Sequence, residues 1–266
     1  MNKEKISGAE ILMRSLINEG VETIFGYPGG SIMPVFDALY DHAEDFHGVL
    51  VRHEQGAVHA AQGYARSSGK VGVCIVTSGP GATNTLTGIS DAILDSTPVV
   101  VIAGQVSTSV LGTDAFQEID FVGITQPITK WSYQIRRPED IPWAVARAFY
   151  IAGTGRPGPV VLDFNKDAQV AMTEYIPQVV ESVRSYIPYP APSKEAIARA
   201  EQVGLATIVC ADSVEEIKQI AMLRTSFCPC WARSGTGRCY RGTQRVYREG
   251  RNSGCAYNAW PFGPPE

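Results

Sequence analysis

The sequence predicts an α/β fold, an open parallel sheet flanked by helices, and three observations carry that prediction. Helix-like and strand-like segments alternate over residues 6–164 with short turns between them, the pattern of repeated βα units. The runs "HGVLV" and "VGVCIVT" are apolar along their whole strand length, as strands covered on both faces require. Glycine turns follow the strands and open the next helices. Ligands of such sheets bind beyond the carboxyl ends of the strands, so those turns are where function is expected.

The elements follow in order. "SGAEILMRSLINEG" opens with Ser7 and Glu10 in capping-box spacing and closes on Gly20, suited to the residue after a helix. Its apolar positions Ile11, Leu12, Leu16 and Ile17 keep helical spacing. "VETIFGYPGG" reads as a strand into a glycine turn, and "SIMPVFDALYDH" as the next helix. After the two apolar runs, "GATNTLTGISDAILDST" reads as one helix before the strand "PVVVIAG". "PEDIPWAVARAFYIAG" is a helix feeding the strand "GPVVLDF".

Domain organisation follows from composition. Of 266 residues, 44% are apolar and the formal net charge is −4, a globular composition that disfavours a nucleic-acid partner. No apolar run is long enough to span a bilayer, and "MNKEKISGAE" has no hydrophobic signal segment, so a cytoplasmic location without membrane partners is expected. Residues 1–170 form the expected main domain, and residues 171–192, without a clear period and Pro-rich at their end, a linker. Residues 193–222 resemble the opening of a second, incomplete α/β unit. From Leu223 to Glu266 there are seven arginines, one leucine, one valine and no isoleucine, too little to bury a core, so a poorly ordered tail is expected.

Several motifs have two readings. "GTGRPG" (Gly153, Gly155, Gly158) matches G-x-G-x-x-G, yet a helix precedes it and a strand follows, the reverse of a dinucleotide fingerprint. "TSGPGATN" (77–84) and "GYPGGS" (26–31) do pass from strand to helix. Each is either a tight turn or a place where Gly79, Gly81, Gly29 and Gly30 let backbone approach a flat ligand. "RHEQGAVHA" puts Glu54 between His53 and His59, but a zinc-protease helix would need histidine where Ala57 stands. On residue type alone Glu54 reads as a carboxylate in the first turn of a helix. Cys228, Cys230, Cys239 and Cys255 do not follow paired zinc-knuckle spacing. No metal ligands are expected in this chain.

Taken in order, "GYPGGSIMPVFDAL", "RHEQGAVHAAQGYARSSGKVGVCIVTSGPGATN", "AGQVSTSVLGTDAFQEID", "ITKWSY" and "TGRPGPVVLDFNKD" resemble the N-terminal, pyrimidine-binding domain of acetolactate synthase (acetohydroxyacid synthase) large subunits. The resemblance covers residues 6–192. It implies thiamine diphosphate as cofactor, Glu54 hydrogen-bonding N1′ of the aminopyrimidine and so preparing removal of the thiazolium C2 proton, and the cofactor as carbanion carrier. It implies Pro28, Gly29 and Gly30 lining the cofactor, Asn84 and Gln117 near the pyrimidine and reacting centre, and Phe116 walling the substrate pocket. Lys130 is implied toward substrate, with a catalytic role beside Glu54 and Gln117, and Arg156 toward an FAD that is bound without redox use. The implied reaction is decarboxylation of pyruvate and carboligation to pyruvate or 2-oxobutyrate, a step in isoleucine and valine synthesis. Mg²⁺ would be held through a C-terminal domain whose motif this sequence lacks. A homo-oligomer, dimer or tetramer, with sites between subunits and a small regulatory subunit, is also implied.

The resemblance also implies a truncated chain, inactive alone. A one-base downstream shift from Ser226, with permitted codons, allows a strand, a "GQG" turn, a helix and an "AGIPA" strand that resemble the family's middle domain, so the tail is expected to be out of frame. Sequencing the coding DNA tests this, and no legal shift restoring such a segment would overturn it. The alternative reading is a non-catalytic module of the same shape that binds a partner chain.

Overall fold

The structure, a computed structural model, describes residues 5–189. Its elements are β1 (Lys5–Ser7), α1 (Gly8–Asn18), β2 (Thr23–Gly26), α2 (Met33–Asp41), β3 (His47–Leu50), α3 (Glu54–Ser68), β4 (Gly72–Val76), α4 (Pro80–Thr83), α5 (Leu86–Leu94) and β5 (Val99–Gln105). Then come α6 (Phe121–Thr125), β6 (Trp131–Ile135), α7 (Ile141–Gly153), β7 (Val160–Asn165), α8 (Lys166–Val170) and β8 (Met172–Glu174). Six strands form one sheet in the order β3-β2-β4-β5-β7-β6, every pairing parallel. This is the open parallel sheet that the sequence predicts.

The local code of α1 works as read. Ser7 accepts the Glu10 amide at 3.2 Å. At the other end, Val21 donates to Leu16 and Gly20, at φ +72°, donates to Ile17, the paired bonds of a Schellman cap. The core lies on both faces of the sheet because alternate residues of a strand point opposite ways. Val73 and Ile75 of β4 join Ile11, Leu12, Leu16 and the apolar stripe of α7 on one face. Cys74 and Val76 join Ala57, Val58, Ala61 and Phe121 on the other.

Three differences have physical causes. The expected single helix over 81–97 is broken at Asn84 and Thr85. The Thr85 hydroxyl donates to the Ala82 carbonyl at 2.6 Å, a local bond that competes with helix continuation. Strand β3, expected to be covered on both faces, is an edge strand whose Leu50 is 71% exposed. The opposite edge, β6, reads "WSYQI" and lacks an apolar run; Trp131, Tyr133 and Trp143 pack together there, with the Arg147 guanidinium over two of the rings. Within the expected linker, β8 pairs antiparallel with β1 and Val183 is buried in the core. The expectations for 193–222 and for the tail lie outside the described residues.

Candidate functional site

The geometry starts from the strand ends. Strands β2, β3 and β4 are parallel neighbours, so the segments leaving them (27–32, 51–53 and 77–79) emerge at one edge of the sheet. Helix α3 begins there. Its cap is His53, whose Nδ1 accepts the Gln55 amide at 3.2 Å, and its first residue is Glu54. The carboxylate is buried, 8% exposed, in the helix's first turn, where the exposed amides of a helix start favour negative charge.

The break after α4 has a use at this point. The Asn84 amide reaches across and donates from Nδ2 to Glu54 Oε2 at 2.9 Å. The other oxygen, Oε1, faces Gly81, where an added Cβ would stand 3.3 Å from it and 2.6 Å from Thr77 Cγ2. A Cβ on Gly29 would likewise stand 2.6 Å from the Thr77 side chain. Two glycine turns thus converge on Thr77, and a hydrogen bond between the Ser31 and Ser78 hydroxyls at 2.7 Å ties them together. Thr77 Oγ1 is buried without a hydrogen-bond partner among the described residues. Sequence reasoning did not single out Thr77 or Ser78. The sole signal was a hydroxyl pair at the end of an apolar strand, which marks any strand-to-turn step.

Beside this cluster runs the 106–120 segment, which follows β5. Gln117 holds the left-handed conformation at φ +60°, uncommon for a side-chain-bearing residue. It lies so close to Gly79 that an added Cβ there would be 2.8–2.9 Å from Gln117 Cβ, O and Cα. Gly79 itself has φ +58° and ψ −119°, a region for glycine alone. Gly79→Ala therefore combines a forbidden backbone with a clash, and should cost about 3 kcal/mol in a urea titration. Gly30→Ala, with open space around the new methyl, should stay within about 0.5 kcal/mol. Equal effects at the two positions would refute this reading of Gly79. Phe116, at 86% exposed, stands free on the same segment. Glu118 closes the turn by accepting the Ala115 amide at 2.9 Å and the Gly112 amide, contacts that lower its pKa.

The structure brings Glu54, Asn84, Gln117, Gly29, Gly30, Pro28 and Phe116 to the carboxyl edge of the sheet. It does not bring Lys130 or Arg156 there. Lys130 precedes β6 and Arg156 precedes β7, and both strands are parallel to the rest, so both residues lie at the amino edge. Lys130 Nζ donates to Thr154 O at 2.8 Å, to Tyr186 Oη at 2.9 Å and to Ile151 O, and burial pushes its pKa down to about 8. Arg156 caps the end of α5, donating to Ile93 O at 3.0 Å, Leu94 O at 3.1 Å and Ser96 Oγ at 2.8 Å. Both cations are spent on carbonyls and hydroxyls of their own domain. The literal match "GTGRPG" likewise sits between helix α7 and strand β7, at the wrong edge for a dinucleotide.

No group of three His, Cys, Asp or Glu side chains able to hold a metal ion occurs among the described residues, and none of the described helices is long and apolar enough to cross a membrane. One oxygen of a buried carboxylate is fixed by an amide, and the other faces the backbone of Gly81, an arrangement that can accept an N–H.

Comparisons with known proteins agree on the kind of domain. Residues 6–124 match the family "Thiamine pyrophosphate enzyme, N-terminal TPP binding domain". The chain is 56% identical over 183 residues to the acetolactate synthase of Arthrospira platensis, covering 68% of this chain and 32% of that one. It is 56% identical over 172 residues to the acetolactate synthase large subunit of Buchnera aphidicola (65% and 30%). With the isozyme 3 large subunit of Escherichia coli it shares 51% over 201 residues (75% and 35%). The chain thus spans about a third of the length of the curated relatives it matches.

Proposed function

The N-terminal part of this chain belongs to the thiamine pyrophosphate enzymes, as their N-terminal TPP binding domain over residues 6–124 and as a homologue of acetolactate synthase large subunits, and on that premise we propose that it supplies the pyrimidine side of a thiamine diphosphate site for acetolactate synthesis. The observation that carries this reading is the buried Glu54 carboxylate, oriented by Asn84 at Oε2 and facing Gly81 with Oε1, beside two glycine turns.

The residues present fit the group. A buried carboxylate fixed by an amide donor suits a ring nitrogen, and Gly29 and Gly81 let backbone pack closely on Thr77 beside it, where any side chain would clash. When bound, thiamine diphosphate supplies the carbanion carrier for decarboxylating pyruvate and joining the product to pyruvate or 2-oxobutyrate. Glu54 would hydrogen-bond N1′ of the aminopyrimidine, and its burial would keep that hydrogen bond strong. Asn84 denies Oε2 to competing partners. Gln117 and Phe116 border the reacting side from the 106–120 segment, and Pro28, Gly29 and Gly30 border the ring.

Mg²⁺ belongs in this reading to a C-terminal domain, together with the diphosphate. A homo-oligomer in the cytoplasm with a small partner subunit is part of the same proposal, supported by the designation of the relatives as large subunits. FAD, which the resemblance implies, stays part of this reading without a redox step. The test is calorimetric titration of the full chain with thiamine diphosphate and Mg²⁺, followed by an acetolactate assay with a complementary C-terminal domain supplied. Saturable binding that Glu54→Ala weakens supports the proposal. Absence of binding and of turnover in both settings leaves the partner-binding module as the better reading.

A further inference from the structure

Asp163 stands on β7 at 1% exposed, and its hydrogen bonds come from two neutral amides rather than a cation. Gln134 of β6 donates to Oδ2 at 2.8 Å, and Gln105 of β5 donates to Oδ2 at 3.1 Å and Oδ1 at 3.4 Å. The same Gln105 Nε2 also donates to the Ile119 carbonyl at 2.8 Å, while its Oε1 accepts the Val106 amide at 2.9 Å. An amide has two N–H bonds, so one serves the carboxylate and the other the carbonyl. A flipped amide would set its oxygen against both acceptors. The carboxylate therefore dictates which way Gln105 faces, and Gln105 dictates where the Ile119 carbonyl sits. Gln117, in its left-handed turn against Gly79, is two residues away.

We propose that Asp163 is a positioning residue: through Gln105 it tethers the 106–119 segment to the middle of the sheet and sets Gln117 at the mouth of the Glu54 site. The tether stands on geometry alone, whereas its value to a cofactor rests on the function proposed above. Nearby charges do not replace the two amides. Asp120, at the start of α6, raises the pKa of Asp163 and Arg136, after β6, lowers it, and burial outweighs both. A buried carboxylate is costly, and a satisfied polar network in a core returns a fixed geometry.

Hydrogen–deuterium exchange on the full chain tests the tether. Asp163→Ala is expected to speed exchange across residues 106–120 by about tenfold or more, the scale of a lost hydrogen bond to a charged group, with β4 little changed. Asp163→Asn keeps an acceptor for both amides and should restore exchange to within about twofold of wild type. If the alanine variant does not fold, Gln105→Met, which leaves Asp163 bonded to Gln134, is expected to give the same local loosening. Unchanged exchange over 106–120, or equal loosening of the whole sheet in the alanine and asparagine variants, would overturn the proposal. Calorimetry with thiamine diphosphate separates the two readings. No binding by wild type fails the function and leaves the tether standing; wild-type binding that the loosened variant retains in full overturns the link between tether and site.

Discussion

Glu54→Gln should slow thiamine diphosphate-dependent acetolactate formation by about 10²–10⁴-fold, the range of a lost proton-transfer group, while the thermal midpoint moves little. Glutamine has the shape of glutamate, and its side-chain oxygen can still accept the Asn84 amide that now reaches Oε2 at 2.9 Å. It cannot take a proton. The substitution thus removes the chemistry and keeps the packing around Thr77 and Gly81, so kcat should fall far more than cofactor affinity. The assay needs the complementary C-terminal domain, and far-ultraviolet circular dichroism confirms that the variant is folded. A loss of less than tenfold in a folded variant would remove Glu54 from the chemistry. Asn84→Ala should produce a smaller drop, because it frees Oε2 without removing the carboxylate.

How much of this was legible follows from where each residue sits in the sheet. Strands β4, β5 and β7 are buried on both faces and write themselves as apolar runs, so the fold class could be read directly. The edges could not. Strand β3 looks interior by composition yet is exposed, and β6 carries polar residues because one side of it has no neighbouring strand. The helix break at Asn84 was hidden because Thr85 and Asn84 are compatible with helix, and only the contact with Glu54, thirty positions away, shows why the chain turns there. The site divides the same way. Glycines after strands pointed to the carboxyl edge, which is where the structure gathers Glu54, Asn84 and Gln117. Lys130 and Arg156 came from resemblance alone, without a strand end to anchor them, and the parallel topology puts them at the other edge. Asp163 sat unnoticed inside "VVLDFN", since its two partners lie 58 and 29 positions away and no local pattern marks such a network.

The second large effect concerns that network. Asp163→Asn is expected to make the protein more stable than wild type at pH 8, by as much as about 4 kcal/mol. Burial raises the Asp163 pKa from 3.8 to about 7, against the lowering effect of its two amide donors. The native state therefore binds this proton more tightly than the unfolded chain does. Stability gained from the proton is complete below about pH 4 and is lost as pH rises through 7. Three pH units at about 1.4 kcal/mol each set the upper bound. Asparagine imitates the protonated carboxyl at every pH, so it escapes the loss. The two proteins should have similar thermal midpoints at pH 4.5 and diverge by roughly 10 °C at pH 8. Lys130, with its pKa near 8, is common to both and cancels in the difference. Parallel stability curves across this range would mean that Asp163 is ionised at little cost, and the carboxylate would then be an ordinary core acceptor. A widening gap would show that the native fold retains a charge at the expense of its own stability, and the geometry it secures, Gln105 on the Ile119 carbonyl, lies two residues from Gln117, which packs on Gly79.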